Sequence, residues 1–258
     1  MRLMKRILSA AAVLALSASL LVGCSSGTAS SVPVSASSAA ESTVSSVEET
    51  ASSAVDENEA AAAQLLNDLT GSYQELWPVI LADEYKQTWL DDCTALVGEE
   101  NAEAAFEKLS SMVTGDVYGE DAVEAYANGG GAYFCGFTND LAILTFDGET
   151  STISGTDKDG NVLFSHTCRY IGMEPVRGLY EFESDDADSG EFTYFFLAPD
   201  TSAETYHIEF RYGSDAEALS QYDTGEYAYW LASGISTDCD QTMIDNCIEL
   251  FCTENLAG

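Results

Sequence analysis

The chain has 258 residues, of which 9 are Lys or Arg and 44 are Asp or Glu, so its formal net charge is −35 at pH 7. So acidic a surface repels nucleic-acid phosphates and anionic lipid headgroups, and it therefore excludes nucleic acid as a partner. The same charge keeps an exported protein in solution and attracts cations weakly, without selecting among them.

The first 23 residues have the pattern of a bacterial secretory signal. Arg2, Lys5 and Arg6 precede an apolar run over residues 7–22, and the letters LVGC end at Cys24. The apolar run is shorter than the ~20 residues that a membrane-spanning helix needs. LVGC resembles a lipobox, which implies cleavage before Cys24, lipidation of its thiol, and an extracytoplasmic protein anchored by lipid to the cell membrane.

Residues 24–58 consist mainly of Ser, Ala, Val, Thr and Glu and contain no aromatic residue. Such a segment cannot bury enough apolar surface to offset the entropy of ordering, so it predicts a disordered tether. Residues 59–258 are long enough for one domain with a substantial core.

The first half of this domain has helical patterns. Residues 59–69 are strong helix formers, and the apolar residues of 72–98 recur at helical spacing, with Pro78 beginning a new turn. Further helices are predicted over 101–112 and, more weakly, 119–127. Three consecutive glycines at 129–131 end this part of the chain.

The second half has the residue pattern of β-structure, in which short aromatic and β-branched runs are separated by turn-forming residues. Seven runs are predicted as strands, some with their turn residues: 132–137, 141–148, 151–160, 161–172, 178–184, 191–199 and 205–213. Their regular spacing favours an antiparallel barrel or sandwich, and Ala198-Pro199-Asp200 supplies the turn between the last two. A short helix follows near 214–221, with Ser214 or Asp215 as its cap, and an amphipathic helix over 239–254 closes the chain.

Six cysteines remain besides Cys24, an even number that suggests disulfides in an exported domain and allows fifteen pairings if all are joined. Their spacing does not match a zinc ribbon or a redox motif, and structural cysteines, some of them free and buried, are the default interpretation. They are Cys93, Cys135, Cys168, Cys239, Cys247 and Cys252.

Several blocks of the domain resemble the ZinT (YodA) family of zinc-binding proteins, from about Leu69 to the end of the chain. They read LTGSYQELWPVIL, GLYEFES, FTYFFLAP and YHIEFRYGSDAEAL. The resemblance implies a calycin-type, lipocalin-like antiparallel β-barrel with an N-terminal helical segment and a C-terminal helix. It also implies zinc binding outside the cytoplasm, with a metal-uptake transporter as the partner that such a protein serves.

The family's three zinc histidines are mostly replaced in this chain. Its His-x-His step reads Thr205-Tyr206-His207 here, and the position before the Ala-Pro turn holds Phe195. Thr is a poor zinc ligand and Phe is none, so zinc would bind more weakly and less selectively than at a three-histidine site.

Two histidines are therefore the candidate metal ligands, His207 and His166. Strand alternation puts Thr205, His207 and Glu209 on one face, and the acids Asp200, Glu204 and Glu209 could complete a site. His166 alternates with Phe164, Cys168 and Tyr170 and is expected to face the interior, where it could coordinate a metal or serve as a hydrogen-bonded core histidine.

The function predicted from these residues is capture or buffering of a divalent metal, zinc first, for uptake or homeostasis. The alternatives are a lipocalin-like barrel that binds a small apolar or aromatic ligand, and a surface interaction module on a flexible stalk. No nucleotide-binding loop and no G-x-S-x-G elbow is present in the sequence, and no nucleophile–base pair is evident, so an enzyme is not expected.

Overall fold

The computed structural model describes residues 57–198, 204–205 and 207–256. The chain divides into two units, Met1–Asp56 and Glu57–Gly258, and the described residues belong to the second. The predicted signal, Cys24 and the turn residues Pro199 and Asp200 lie outside the described residues. Helix α1 covers residues 57–68, so it includes the last two residues that composition assigned to the tether.

Eight antiparallel strands form a closed barrel, in which each strand pairs with the next along the chain and the last pairs with the first. The predicted antiparallel barrel, with a helical segment before it and a helix after it, is confirmed. Closure pairs both edges of each of the eight described strands. The strands are β1 (Gly71–Glu75), β2 (Ile143–Asp147), β3 (Thr152–Thr156), β4 (Val162–Met173), β5 (Tyr180–Ser184), β6 (Tyr194–Leu197), β7 (His207–Gly213) and β8 (Ala232–Ser236).

Helices fill the long connection between β1 and β2 and end the chain. After α1 they are α2 (Leu76–Ile80), α3 (Lys86–Val97), α4 (Glu99–Val113), α5 (Glu120–Ala127), α6 (Ala216–Leu219) and α7 (Gln241–Leu256). The predictions for 101–112, 119–127, 214–221 and 239–254 are confirmed within a few residues. In α6 the cap is Asp215, whose carboxylate accepts hydrogen bonds from the amides of Glu217 and Ala218 at 2.9 and 3.0 Å.

No helix among the described residues is both long enough and apolar enough to cross a membrane.

The helical prediction for 72–98 is wrong at its start, where β1 lies. Residues 71–73 pair with β2 and 73–75 with β8, so this short strand closes the barrel. Tyr73 points inward, is 3% exposed, and meets Phe146 edge to face at a centroid distance of 5.7 Å. The pairing partners of β1 are distant in sequence, and the local helical spacing contained no sign of them.

The other two errors concern the segments around 134 and 234. The run 132–137 is not a strand, and Phe134 makes only isolated bridges, to Thr114 and Trp230. The aromatic patch before the last helix instead leads into β8, which consists of small residues apart from Ile235 and is buried throughout. Ala, Ser and Gly carry little β-propensity, so no run of strand-forming residues marks this segment.

Hydrogen bonds with side chains from elsewhere in the chain hold the segment 136–138 in an irregular conformation. Trp230 Nε1 donates to the carbonyl of Gly136 at 2.9 Å, and the Phe137 amide donates to Glu75 Oε1 at 2.6 Å. The Thr138 amide donates to Tyr212 Oη at 2.6 Å. A Cβ at position 136 would lie 2.8 Å from Glu75 Oε1, so a larger residue there would displace this carboxylate.

Aromatic rings fill the described part of the barrel interior. Phe195 on β6 pairs with Phe182 on β5 and with Tyr212 on β7, and all three side chains are buried. Ring centroids are 5.7 Å apart for Phe164 and Phe195, and 5.0 Å apart for Tyr212 and Trp230. This continuous packing is that of a solid core rather than of a ligand cavity.

A second core lies where the helices cover the outside of the barrel. Trp89 of α3 is fully buried and contacts Phe106 of α4 and Phe251 of α7 at centroid distances of 5.7 and 6.0 Å. Ile235 of β8 belongs to the same cluster, together with Leu76, Trp77 and Ile80 of α2. The outward face of β7 and β8 is therefore covered by helices, and the candidate site lies in this layer.

Candidate metal site

Strand β7 presents two different faces. Ile208, Phe210 and Tyr212 belong to the barrel interior, whereas His207 and Glu209 pair with Ile235 and Ser233 on the outward face of β8. The predicted alternation is confirmed on this strand, because a side-chain period of two separates the groups. His207 and Glu209 therefore lie side by side on the surface that the helices cover.

A small cleft of about 30 Å³, partly open to solvent, lies between β7 and two helices. His207 and Glu209 of β7 line it, with Leu76 and Trp77 of α2 and with Cys247 and Glu254 of α7. The two helices supply apolar walls, and the polar groups converge from β7 and α7. A mostly apolar cleft with a few convergent polar groups is the usual form of a binding site.

The His207 ring is oriented by Thr205. Its Nδ1 lies 2.6 Å from Thr205 Oγ1, and the Thr205 carbonyl accepts a hydrogen bond from Cys247 Sγ at 3.1 Å. The Glu204 carbonyl accepts one from Asn246 Nδ2 at 2.8 Å, so residues 204–205 are fastened to α7. When Nδ1 donates to the threonine hydroxyl, the lone pair lies on Nε2, the nitrogen that could then bind a metal.

Two polar residues of the cleft, Cys247 and Glu254, were not predicted from the sequence. Both lie on α7, seven positions apart, and Leu250 and Phe251 between them complete one helix face. This spacing was visible in the sequence, but nothing there indicated that the terminal helix packs over β7. Burial, with a smaller contribution from Cys239, raises the pKa of Cys247 to about 12, so its thiol is protonated at neutral pH.

The residues present do not form a closed zinc site. Within the part of the chain that the structure describes, no three His, Cys, Asp or Glu side chains are grouped so that they could hold a metal ion. A structural zinc site uses four ligands and an open site three, and a thiol binds only as the thiolate. The cleft offers one imidazole, two carboxylates and a protonated thiol, a set that suits weak binding with low selectivity.

His166 lies elsewhere in the molecule. It shares the inward face of β4 with Phe164 and Cys168, as alternation predicts, and it is not among the residues that line the cleft. Its Nδ1 is 2.6 Å from Asp186 Oδ2, its ring stacks on Phe164 at 5.4 Å, and its side chain is 13% exposed. This arrangement is that of a hydrogen-bonded structural histidine, and a metal-binding role for His166 stays a prediction.

Phe195, which stands at the third histidine position that the resemblance implies, is on the opposite side of the sheet from His207. It is fully buried in the barrel interior, and its register partner Tyr212 is an inward residue of β7. The two positions are therefore separated by the sheet itself, and a histidine at 195 would not meet the His207 ring.

Substituting Phe195→His is expected to leave zinc affinity unchanged and to lower the free energy of unfolding by about 2–4 kcal/mol. The imidazole would leave part of the aromatic core unfilled and would bury polar nitrogens. Urea denaturation and a zinc titration of the same variant measure both effects. Tighter zinc binding with undiminished stability would show that positions 195 and 207 share a site.

The comparisons with known proteins give the following. No protein-family model matches the chain, and no curated protein matches it significantly. The zinc-bound ZinT-like domain of Streptococcus pneumoniae AdcA is similar in structure, with a TM-score of 0.45 and 16% identity over 71% of this chain and 89% of that domain. Zinc-bound AdcA from the same organism is also similar in structure, with a TM-score of 0.42 and 13% identity over 71% of this chain and 34% of the AdcA chain.

Proposed function

We propose that the protein binds a divalent metal ion, zinc first, weakly and reversibly in the cleft between β7, α2 and α7. The observation that carries the proposal is that His207 and Glu209 of β7 and Glu254 of α7 line the same cleft. The lipobox-like LVGC ending at Cys24 supports the further proposal that the protein is extracytoplasmic and lipid-anchored.

The role that fits weak binding is capture or buffering, without catalysis. The chain has 44 acidic and 9 basic residues, and this negative charge raises the local concentration of cations around the domain. A site of low affinity releases its ion readily, which suits transfer to a metal-uptake transporter at the same membrane. His207, as the imidazole in the cleft, gives the site its preference for zinc over calcium, because calcium is bound by oxygen ligands.

The packing of the barrel disfavours the alternative of a lipocalin-like ligand cavity. Phe164 stacks on Phe192 at a centroid distance of 4.0 Å, and Phe210 stacks on Tyr212 at 5.9 Å. An apolar ligand inside the barrel would have to displace these rings. The cleft outside the barrel needs no such rearrangement to admit an ion.

A competition titration tests the proposal. The detergent-solubilised full chain, stripped of metal with a chelator, is titrated with zinc in the presence of a fluorescent zinc indicator. We expect one ion per chain with a Kd on the order of 1–100 μM, and somewhat weaker competition by calcium. Absence of competition with the indicator up to millimolar protein would refute metal binding.

Zinc affinity is expected to fall about tenfold between pH 7.5 and pH 5.5. An imidazole binds metal only in its neutral form, and ordinary histidine titrates near pH ~6.5, so protons compete for the ligand across this range. Cys247, with its pKa raised to about 12, stays protonated throughout and adds no pH dependence of its own. The same titration at the two pH values measures the change, and equal affinities would exclude an imidazole ligand.

A further inference from the structure

Cys93 and Cys252 face each other in the helical core. Cys93 lies on α3 and Cys252 on α7, each is fully buried, and their Sγ atoms are 3.9 Å apart. The two residues are 159 positions apart in the chain, so only the packing of the helices brings them together. Trp89 and Phe251, each from one of the same two helices, are in edge-to-face contact beside them.

In the structure the two cysteines are free, and their sulfur atoms are in van der Waals contact. A disulfide has its sulfur atoms about 2.05 Å apart, so the two Sγ atoms must approach by roughly 2 Å to form one. Neither cysteine lines the cleft, so neither belongs to the proposed metal site. Two thiols that meet in the interior of a domain predicted to be exported are the usual precursors of a structural disulfide.

We propose that Cys93 and Cys252 form a disulfide bond that fastens α7 to α3. The oxidant is another disulfide, either a small molecule such as oxidised glutathione or a protein thiol–disulfide oxidoreductase. One cysteine thiolate attacks the incoming disulfide and forms a mixed disulfide, and the second thiolate then displaces the remaining thiol. The two cysteines lose two protons and two electrons, and the oxidant leaves as two thiols.

The bond forms while the chain folds, before the helices are fully packed. In the folded domain both sulfurs are out of contact with solvent, and burial raises the pKa of the Cys93 and Cys252 thiols. An external oxidant or reductant therefore reaches them only when α7 opens. The same burial protects the bond once it has formed.

The consequence is a fixed position for α7 over the barrel. Cys252 lies on the same helix as Cys247 and Glu254, so the bond holds the cleft wall against α3. A cross-link that closes so long a loop restricts the unfolded chain strongly and is expected to raise the melting temperature. The proposal does not depend on metal binding.

Peptide mapping under non-reducing conditions tests the pair directly. The full chain is refolded with oxidised and reduced glutathione, alkylated in denaturant, and digested. We expect a linked peptide pair containing Cys93 and Cys252, with Cys135, Cys168, Cys239 and Cys247 alkylated. Alkylation of both Cys93 and Cys252, or their linkage to other cysteines, would overturn the proposal.

Melting curves and variants give a second measurement. Reduction after unfolding, followed by refolding with reductant, should lower the melting temperature by roughly 5–15 °C. C93S and C252S should each abolish the linked peptide, whereas C168S, which removes another buried cysteine, should retain it. If C93S and C252S do not fold, the wild-type peptide map decides alone. A melting temperature that reduction leaves unchanged would count against the bond.

Discussion

Replacing Arg211 by alanine is expected to lower the free energy of unfolding by about 3–5 kcal/mol. Arg211 is fully buried on the outward face of β7, where its guanidinium donates hydrogen bonds to the carbonyls of Leu219, Gln221 and Tyr227. It also stacks on the Tyr222 ring, with Cζ 4.4 Å from the ring centroid. This one side chain therefore ties β7 to three backbone carbonyls in the segment between the end of α6 and the start of β8.

The loss should be large because the carbonyls would be left buried without their donor. Burial lowers the pKa of Arg211 to about 10, so the group is still charged at pH 7 and its hydrogen bonds are charge-assisted. Arg211→Lys should recover only part of the stability, since a single ammonium cannot reproduce the planar fork that reaches three carbonyls. Urea denaturation monitored by tryptophan fluorescence measures all three proteins.

Arg169 is the matched control, because it is an arginine on the barrel with an exposed side chain. It pairs with Asp185 at 2.7 Å and with Glu183, and its side chain is 55% exposed. Arg169→Ala should lower the stability far less than Arg211→Ala does, because exposed ion pairs contribute little. Equal losses for Arg169→Ala and Arg211→Ala would show that the buried guanidinium does not fasten the connection.

Replacing His207 by alanine is expected to weaken zinc binding at least tenfold, whereas His166→Ala should leave it within a factor of two. His207 lines the cleft and is oriented by Thr205 Oγ1, while His166 lies on β4 and is bonded to Asp186. Removing an imidazole from a site with so few nitrogen or sulfur ligands removes most of its preference for zinc. The competition titration described above measures each affinity.

The two histidine variants also control for each other. Circular dichroism and melting temperature should show that both remain folded, since each substitution removes one partly buried side chain. A loss of affinity in His166→Ala, or none in His207→Ala, would move the site away from the cleft.

The sequence predicts those strands that carry a local pattern of strand-forming residues. Strands β2 to β7 carry aromatic and β-branched residues at a period of two, and turn residues separate them. Strand β1 and strand β8 lack that signal, because Gly71–Glu75 is followed directly by helix and Ala232–Ser236 has only one large residue, Ile235. Their assignment depends on partners far away in the chain, and these become visible only when the barrel closes.

The candidate site was predicted in part for the same reason. Alternation along β7 placed His207 and Glu209 on one face, and the structure confirms that arrangement. The contribution of α7 could not be inferred, because it depends on which face of the terminal helix packs against which strand. The separation of Phe195 from His207 was missed as well, since motif similarity does not say which side of a sheet a residue occupies.

The most direct test of the proposed site is the nitrogen NMR spectrum of the imidazole rings during addition of zinc. The chain contains two histidines, so the spectrum holds two sets of ring signals, which His166→Ala assigns. Our account predicts that zinc shifts the His207 ring nitrogens and leaves those of His166 in place. Unchanged His207 signals at saturating zinc, or a shift confined to His166, would contradict it.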